Sequence, residues 1–251
     1  MTIAAWFGLA AAGFVASVLQ ATNGFGFAVL AVPFFLIWAP PGEAIPIIVI
    51  ISFAVSLFVM PRLYRFVNLG LLWRLTLGSL PALLLVSVAF ADPDQVILRA
   101  IAGTIVTGFA ILLAWHRYRR VGRAIALRPS GDLAVGVIAG IAIALVGMAG
   151  PPPLIYLMLG GAPLVMLRAT LIAFFAVVYP ATLAVKIVAA GVPGRDWLIA
   201  LSLLPILWIG GRIGLPVGER LGEAAAAALA LIVLAATGLY TLGVAAHAAL
   251  W

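Results

Sequence analysis

The chain has 251 residues, 66% hydrophobic and 8% charged, with a mean hydropathy of +1.30 and a formal charge of +7. A soluble domain is only about 45–50% apolar, and so few charges cannot cover a water-facing surface, so a soluble globule is excluded in favour of an integral membrane protein. The positive excess is the loop bias of a membrane protein and not a nucleic-acid footprint, and the absence of cysteine removes disulfides and thiolate metal sites.

The apolar runs are continuous and rich in Ala, Leu, Ile and Val, without the in-out alternation of barrel strands, so the spanning elements are helices and the fold class is all-α. The first run, 3 to 20, lacks the positive flank of a secretory signal and is read as a membrane segment. Runs follow at 25 to 38, 44 to 61, 71 to 90 and 95 to 115. After the basic stretch "HRYRRVGRAIALRPSGD" a second series runs at 132 to 147, 150 to 160, 164 to 190, 197 to 214 and 223 to 248. The two series match in order and length. "LGSLPALLL" at 77 to 85 has its counterpart in "LSLLPILWI" at 201 to 209, an offset of 124 (201 − 77), and "NGFGFAVLAVP" falls opposite "GMAGPPPLIYL".

The expected organisation is therefore one membrane domain made of a first repeat (1–115), a basic cytoplasmic linker (116–131) and a second repeat (132–251). Five segments per repeat is an odd number, so the repeats are inverted, with about eight full spans plus broken or re-entrant hairpins. With the linker inside, alternation also places Arg62, Arg65, Arg74, Arg168, Arg212 and Arg220 inside and leaves Arg99, Lys186 and Arg195 outside. Both termini are then non-cytoplasmic, in a multi-pass protein of the cytoplasmic (inner) membrane. Six of the seven tryptophans, Trp6, Trp38, Trp73, Trp115, Trp197 and Trp251, fall near segment ends, where the indole prefers the interface.

The second segment of each repeat is too short to span a hydrocarbon core of about 30 Å. Each pairs with its predecessor as a hairpin whose tip, Gln20 to Gly26 or Gly147 to Pro153, ends inside the membrane. A helix that restarts there offers N–H groups and a positive dipole end to an anion. The candidate substrate-binding residues are Gln20 and Asn23 as amide donors, Gly24, Phe25 and Gly26 at the first restart, and Gly147, Ala149, Gly150 and Pro151 at the second. Arg212 is added as a cation at an inner vestibule, although at a segment end it also fits a snorkelling side chain. Arg168 and Lys186 are read as segment-end cations that snorkel to the interface, and Tyr156 and Tyr179 as pore-lining or core.

All seven carboxylates, Glu43, Asp92, Asp94, Asp132, Asp196, Glu219 and Glu223, fall in or beside loops, which disfavours a cation path and leaves an anion or a neutral solute as cargo. No catalytic or metal-binding residue is expected: H-E-x-x-H, G-x-S-x-G and P-loop patterns are missing, His116 and His247 lie away from the tracts, and no cofactor is implied.

On "NGFGFAVLAVP", "GMAGPPPLIYL" and the segment pattern about the central basic loop, the chain resembles the sulfite exporter TauE/SafE family of membrane permeases over nearly its whole length. Members carry G-x-G-G-G, an apolar run and Pro. Gly24, Gly26 and Pro33 fit and Phe27 and Ala28 depart; Gly147 and Gly150 fit and Ala149 and Pro151 depart. The resemblance implies movement of small sulfur-containing or organic anions such as sulfite, sulfoacetate and sulfolactate across the cytoplasmic membrane. The expected function is a secondary permease exporting a small anion, with the bilayer and that anion as partners and a homo-oligomer left open. The alternatives are an anion channel or importer on the same scaffold and, further off, a non-transporting scaffold or an integral enzyme.

Overall fold

The computed structural model describes residues 3–23, 27–39, 41–89 and 126–220, with scattered positions within 97–111 and 228–243. The described residues are helical, without a strand: α1 (Ile3–Asn23), α2 (Phe27–Trp38), α3 (Pro41–Leu63) with a 3-10 turn at Tyr64–Phe66, α4 (Leu69–Ala89), α5 (Pro129–Val146), α6 (Pro151–Leu159), α7 (Leu164–Ala190) and α8 (Gly194–Arg220). Six of them, α1, α3, α4, α5, α7 and α8, are long and apolar enough to cross a membrane. The two further spans expected at 95 to 115 and 223 to 248, and most of the basic linker, lie largely outside the described residues.

Two seams organise the packing. In the first, α4 and α5 run parallel, with Gly78 of α4 against the Leu133 carbonyl and Gly136 and Gly140 of α5 against the carbonyls of Leu75 and Ser79. In the second, α1 and α8 run parallel, with Gly210 and Gly214 of α8 against the carbonyls of Phe14 and Val18. Lipid gives no hydrophobic drive for helix association, so close backbone approach through residues without a Cβ and interhelical hydrogen bonds hold such pairs. The α1–α8 seam adds three such bonds: Trp6 Nε1 to Ser202 Oγ (2.9 Å), Ser17 Oγ to the Leu207 carbonyl (2.6 Å) and Thr22 Oγ1 to the Gly214 carbonyl (3.1 Å). The α4–α5 seam adds an ion pair, Arg74 Nε to Asp132 Oδ2 at 2.6 Å.

That ion pair predicts a stability asymmetry. Asp132 has 2% side-chain exposure, so Arg74→Ala strands a buried carboxylate; the cost is about 2 kcal/mol, reduced from that of a fully buried pair because Arg74 is 36% exposed. R74A is expected to lower the melting temperature in detergent, and R74M combined with D132L to recover most of the loss. Equal melting of the single and the double variant would remove the ionic argument.

Between the seams lies α3, two thirds of whose central window is buried (67%) against less than half for every other span. It crosses α7 and also touches α8, and α7 touches α4. The starts of α1, α3 and α8 share one face, tied by Arg195 and Glu43 (3.8 Å); the starts of α4, α5 and α7 share the opposite face, where Asn68 N donates to Thr170 Oγ1 (3.1 Å). These are termed the upper and the lower face.

Candidate functional site

Both short helices fold back along their predecessors. After α1 ends at Asn23, α2 returns toward the upper face, and Trp38 at its end packs its indole on Gly8 near the start of α1. After α5 ends, α6 returns toward the lower face: the Tyr156 hydroxyl accepts from Arg128 N (3.0 Å) and donates to Arg128 O (3.2 Å), just before α5 begins. The 12 residues of α2 and the 9 of α6 cover about 18 and 14 Å, well short of the hydrocarbon core. The chain therefore holds two helical hairpins whose short arms return toward opposite faces.

The chemistry of the second tip follows from its backbone. Gly147 occupies the left-handed region (φ 72°) that closes α5, its N–H returning to Ile143 O at 3.0 Å, a conformation a residue with a Cβ adopts only under strain. Pro151 opens α6 in the first turn, where the missing N–H has no intrahelical use, and Leu154 N donates to Gly150 O (3.1 Å). Met148, Ala149 and Gly150 lie between the two helices, all buried.

A buried polar cluster on α3 joins the tips. From the first hairpin Gln20 Nε2 donates to Ser56 Oγ (3.2 Å), and Ser56 Oγ donates to the Ser52 carbonyl (2.7 Å). From the second, the main chain of Ala149 lies beside the Tyr179 hydroxyl of α7, which also faces Ser52. Ser52 Oγ is buried with no hydrogen-bond partner among the described residues. Ser52 and Ser56 are one turn apart on one face of α3, about 6 Å, so the first hairpin tip reaches this stretch directly and the second reaches it through Tyr179. Phe175 stands behind the cluster, in tilted contact with the Tyr179 ring (centroids 5.5 Å) and facing Gly150. The groups gathered here are hydroxyls and a carboxamide beside the main chain of Ala149, a set that can receive oxyanion oxygens without a metal.

Of the residues expected to bind substrate, Gln20, Ala149 and Gly150 come to this cluster, with Pro151 at the start of α6 beside it. Gly147 stands slightly apart, facing Ile45 near the upper end of α3. Asn23 is the last residue of α1, and Gly24, Phe25 and Gly26 lie outside the described residues. Arg212 does not join them: it is exposed, with its guanidinium over the Trp208 ring at 5.0 Å on α8. Tyr156 serves the base of the second hairpin and not its tip.

Sequence reasoning passed over Ser52 and Ser56, and it misplaced Arg168. The serines had a signal, two hydroxyls four residues apart in the otherwise apolar "IIVIISFAVSLFVM", which puts them on one helical face. Arg168 does not snorkel. It is 8% exposed, and its Nη2 donates to the Ala21 carbonyl at 2.6 Å, in the last turn of α1. Nothing local marks this, because the partner is 147 residues away.

A family model described as "Sulfite exporter TauE/SafE" matches residues 9–241. No curated protein and no solved structure matches the chain.

Proposed function

The chain belongs to the sulfite exporter TauE/SafE family, a family of membrane transporters, and from that premise we propose a secondary permease that exports a small oxyanion from a site where the two hairpin tips meet α3. The observation that carries the reading is the convergence of the tips: Gln20 on Ser56 from one hairpin, and from the other Ala149 beside the Tyr179 hydroxyl, which faces Ser52. Gln20, Ser52, Ser56 and Tyr179 are each at most 1% exposed, as an occluded carrier site requires.

The packing supports an inverted repeat. Exchanging α1, α2, α3 and α4 for α5, α6, α7 and α8 turns the α1–α8 seam into the α5–α4 seam, the α3–α8 contact into α7–α4, α1–α2 into α5–α6 and α2–α3 into α6–α7, and returns α3–α7 to itself. Under that exchange one hairpin rises from the lower face and its counterpart descends from the upper. Each seam joins helices of different repeats, so 1–115 and 132–251 form one membrane domain around the 116–131 linker. Two near-equivalent hairpins opening in turn to opposite faces give alternating access.

Placing the arginine-rich lower face in the cytoplasm follows the positive-inside bias and puts both termini outside. A monoanion leaving an inside-negative cell gains about 2.3 kcal/mol per 100 mV, enough for export by uniport. Purified protein in liposomes is expected to show saturable, voltage-sensitive flux of sulfite, a short sulfonate or a short carboxylate, with counterflow. Flux linear in concentration without counterflow would indicate a channel, and no flux of any of the three would end the reading.

A further inference from the structure

Glu43 and Asp196 stand near one another at the upper face, each in the first turn of its helix, α3 and α8. Their surroundings differ. Glu43 is 35% exposed at its side chain and reaches Arg195 at 3.8 Å. Asp196 is 1% exposed, and both of its carboxylate oxygens are buried with no hydrogen-bond partner among the described residues. Asp132, also buried in a first turn, holds Arg74 instead.

An ionised carboxylate at Asp196 is poorly compensated. The helices packed along α8 are α1 and α3. The first carries no ionisable side chain, and the second brings Glu43 to this end, another negative charge within electrostatic reach. On α8 itself the near cation is Arg195, whose side chain is 55% exposed and shared with Glu43. A helix start favours a carboxylate by about 0.3–1 kcal/mol, less than the several kcal/mol that removing an unpaired ion from water costs. A protonated carboxyl is neutral and escapes most of that cost. A metal ion does not fit in its place: Ca2+ takes about six or more oxygens, and no group of three metal-ligating side chains occurs among the described residues.

We propose that Asp196 is a proton-binding site that controls the upper gate of the permease, holding a proton while the starts of α1, α3 and α8 are packed together and releasing it when that face opens to water. The gating role rests on the permease reading, whereas the proton site stands on the burial of Asp196 alone. The proton enters and leaves by the same face, so it sets how readily the gate closes without driving the anion. Closure takes up a proton, so the packed state is favoured at low pH and loses that advantage as pH rises.

The isosteric Asp196→Asn variant fixes the neutral form and tests both parts. Wild type and D196N are melted in detergent from about pH 5 to pH 9, a range in which a solvated aspartate stays ionised. Wild type is expected to lose stability relative to D196N as pH rises, and D196N to melt at least as high as wild type. An ionised, helix-capping Asp196 predicts the reverse, so a D196N protein that melts lower at every pH, or does not fold, overturns the inference. In proteoliposomes the flux of a short sulfonate, itself ionised throughout this range, is expected to fall severalfold in wild type as pH is raised and to stay level in D196N. Matching pH profiles of the two proteins would remove the gate. If wild type moves no anion, the permease reading fails while the melting result still decides the proton site.

Discussion

Replacing Gly140 or Gly214 by valine is expected to lower the melting temperature and the monodisperse fraction of the protein sharply. A Cβ at Gly140 would collide with the Ser79 carbonyl, and one at Gly214 with the Val18 carbonyl. Both obstacles are backbone in the facing helix, so no rotamer change relieves them; the seam has to open along its length. Overpacking of this kind costs about 3 kcal/mol per site, a large part of a total stability of about 5–15 kcal/mol. The seam also holds what lies further along it: widening α1–α8 breaks the Ser17 and Thr22 bonds, and widening α4–α5 separates Arg74 from Asp132. Thermal unfolding and the monodisperse fraction in detergent read the effect. Gly42→Ala is the control, since nothing lies within 4 Å of the Cβ it would add, and it is expected to melt with wild type to within about 0.5 kcal/mol. Wild-type melting of both valine variants would mean that the seams are not close-packed as described.

What the sequence discloses and what it hides divide along physical lines. The second chain reversal is legible because turning back between two apolar helices forces residue choices visible in one dimension: a left-handed glycine at 147, prolines in the first turn of α6, and a short following helix. The seam glycines are just as constrained, yet Gly78, Gly136, Gly140, Gly210 and Gly214 are five of 26 glycines in an alanine-rich chain, and only the partner helix shows which of them meet a backbone. Arg168 is hidden for the opposite reason. Its position near the start of a segment is that of an interfacial cation, and its burial depends on where the end of α1 arrives after folding. Arg212 looks similar in sequence and stays exposed against Trp208, so local context does not separate the two arginines and tertiary context does. Ser52 and Ser56 lie between these cases, with a helical spacing that is readable and long-range neighbours, Tyr179 and Gln20, that are not.

Gly150→Leu is expected to stop transport in a protein that still folds, a result that depends on what stands behind the glycine. A Cβ at position 150 lies 3.3 Å from Phe175 Cζ, a contact that a small shift of the ring relieves, so Gly150→Ala is expected to keep most of its flux. A leucine has no such allowance. Its branches push Phe175, which leans on Tyr179 at 5.5 Å between centroids, and Tyr179 carries the hydroxyl that faces Ser52. The displacement therefore reaches the donor cluster on α3 through two aromatic side chains, while both seams, the bonds at the base of the hairpin and the Gly147 cap stay as they are. Melting temperature is thus expected to fall only modestly, and flux to drop below detection. Tyr179→Phe makes the complementary test: it keeps both rings in place and removes one oxygen, so a loss of about tenfold is expected from a single missing hydrogen bond to a charged ligand. If G150L transports at the wild-type rate, the second hairpin tip is not part of the path. If G150L is inactive and Y179F is fully active, the tip matters for movement and the Tyr179 hydroxyl does not touch the anion.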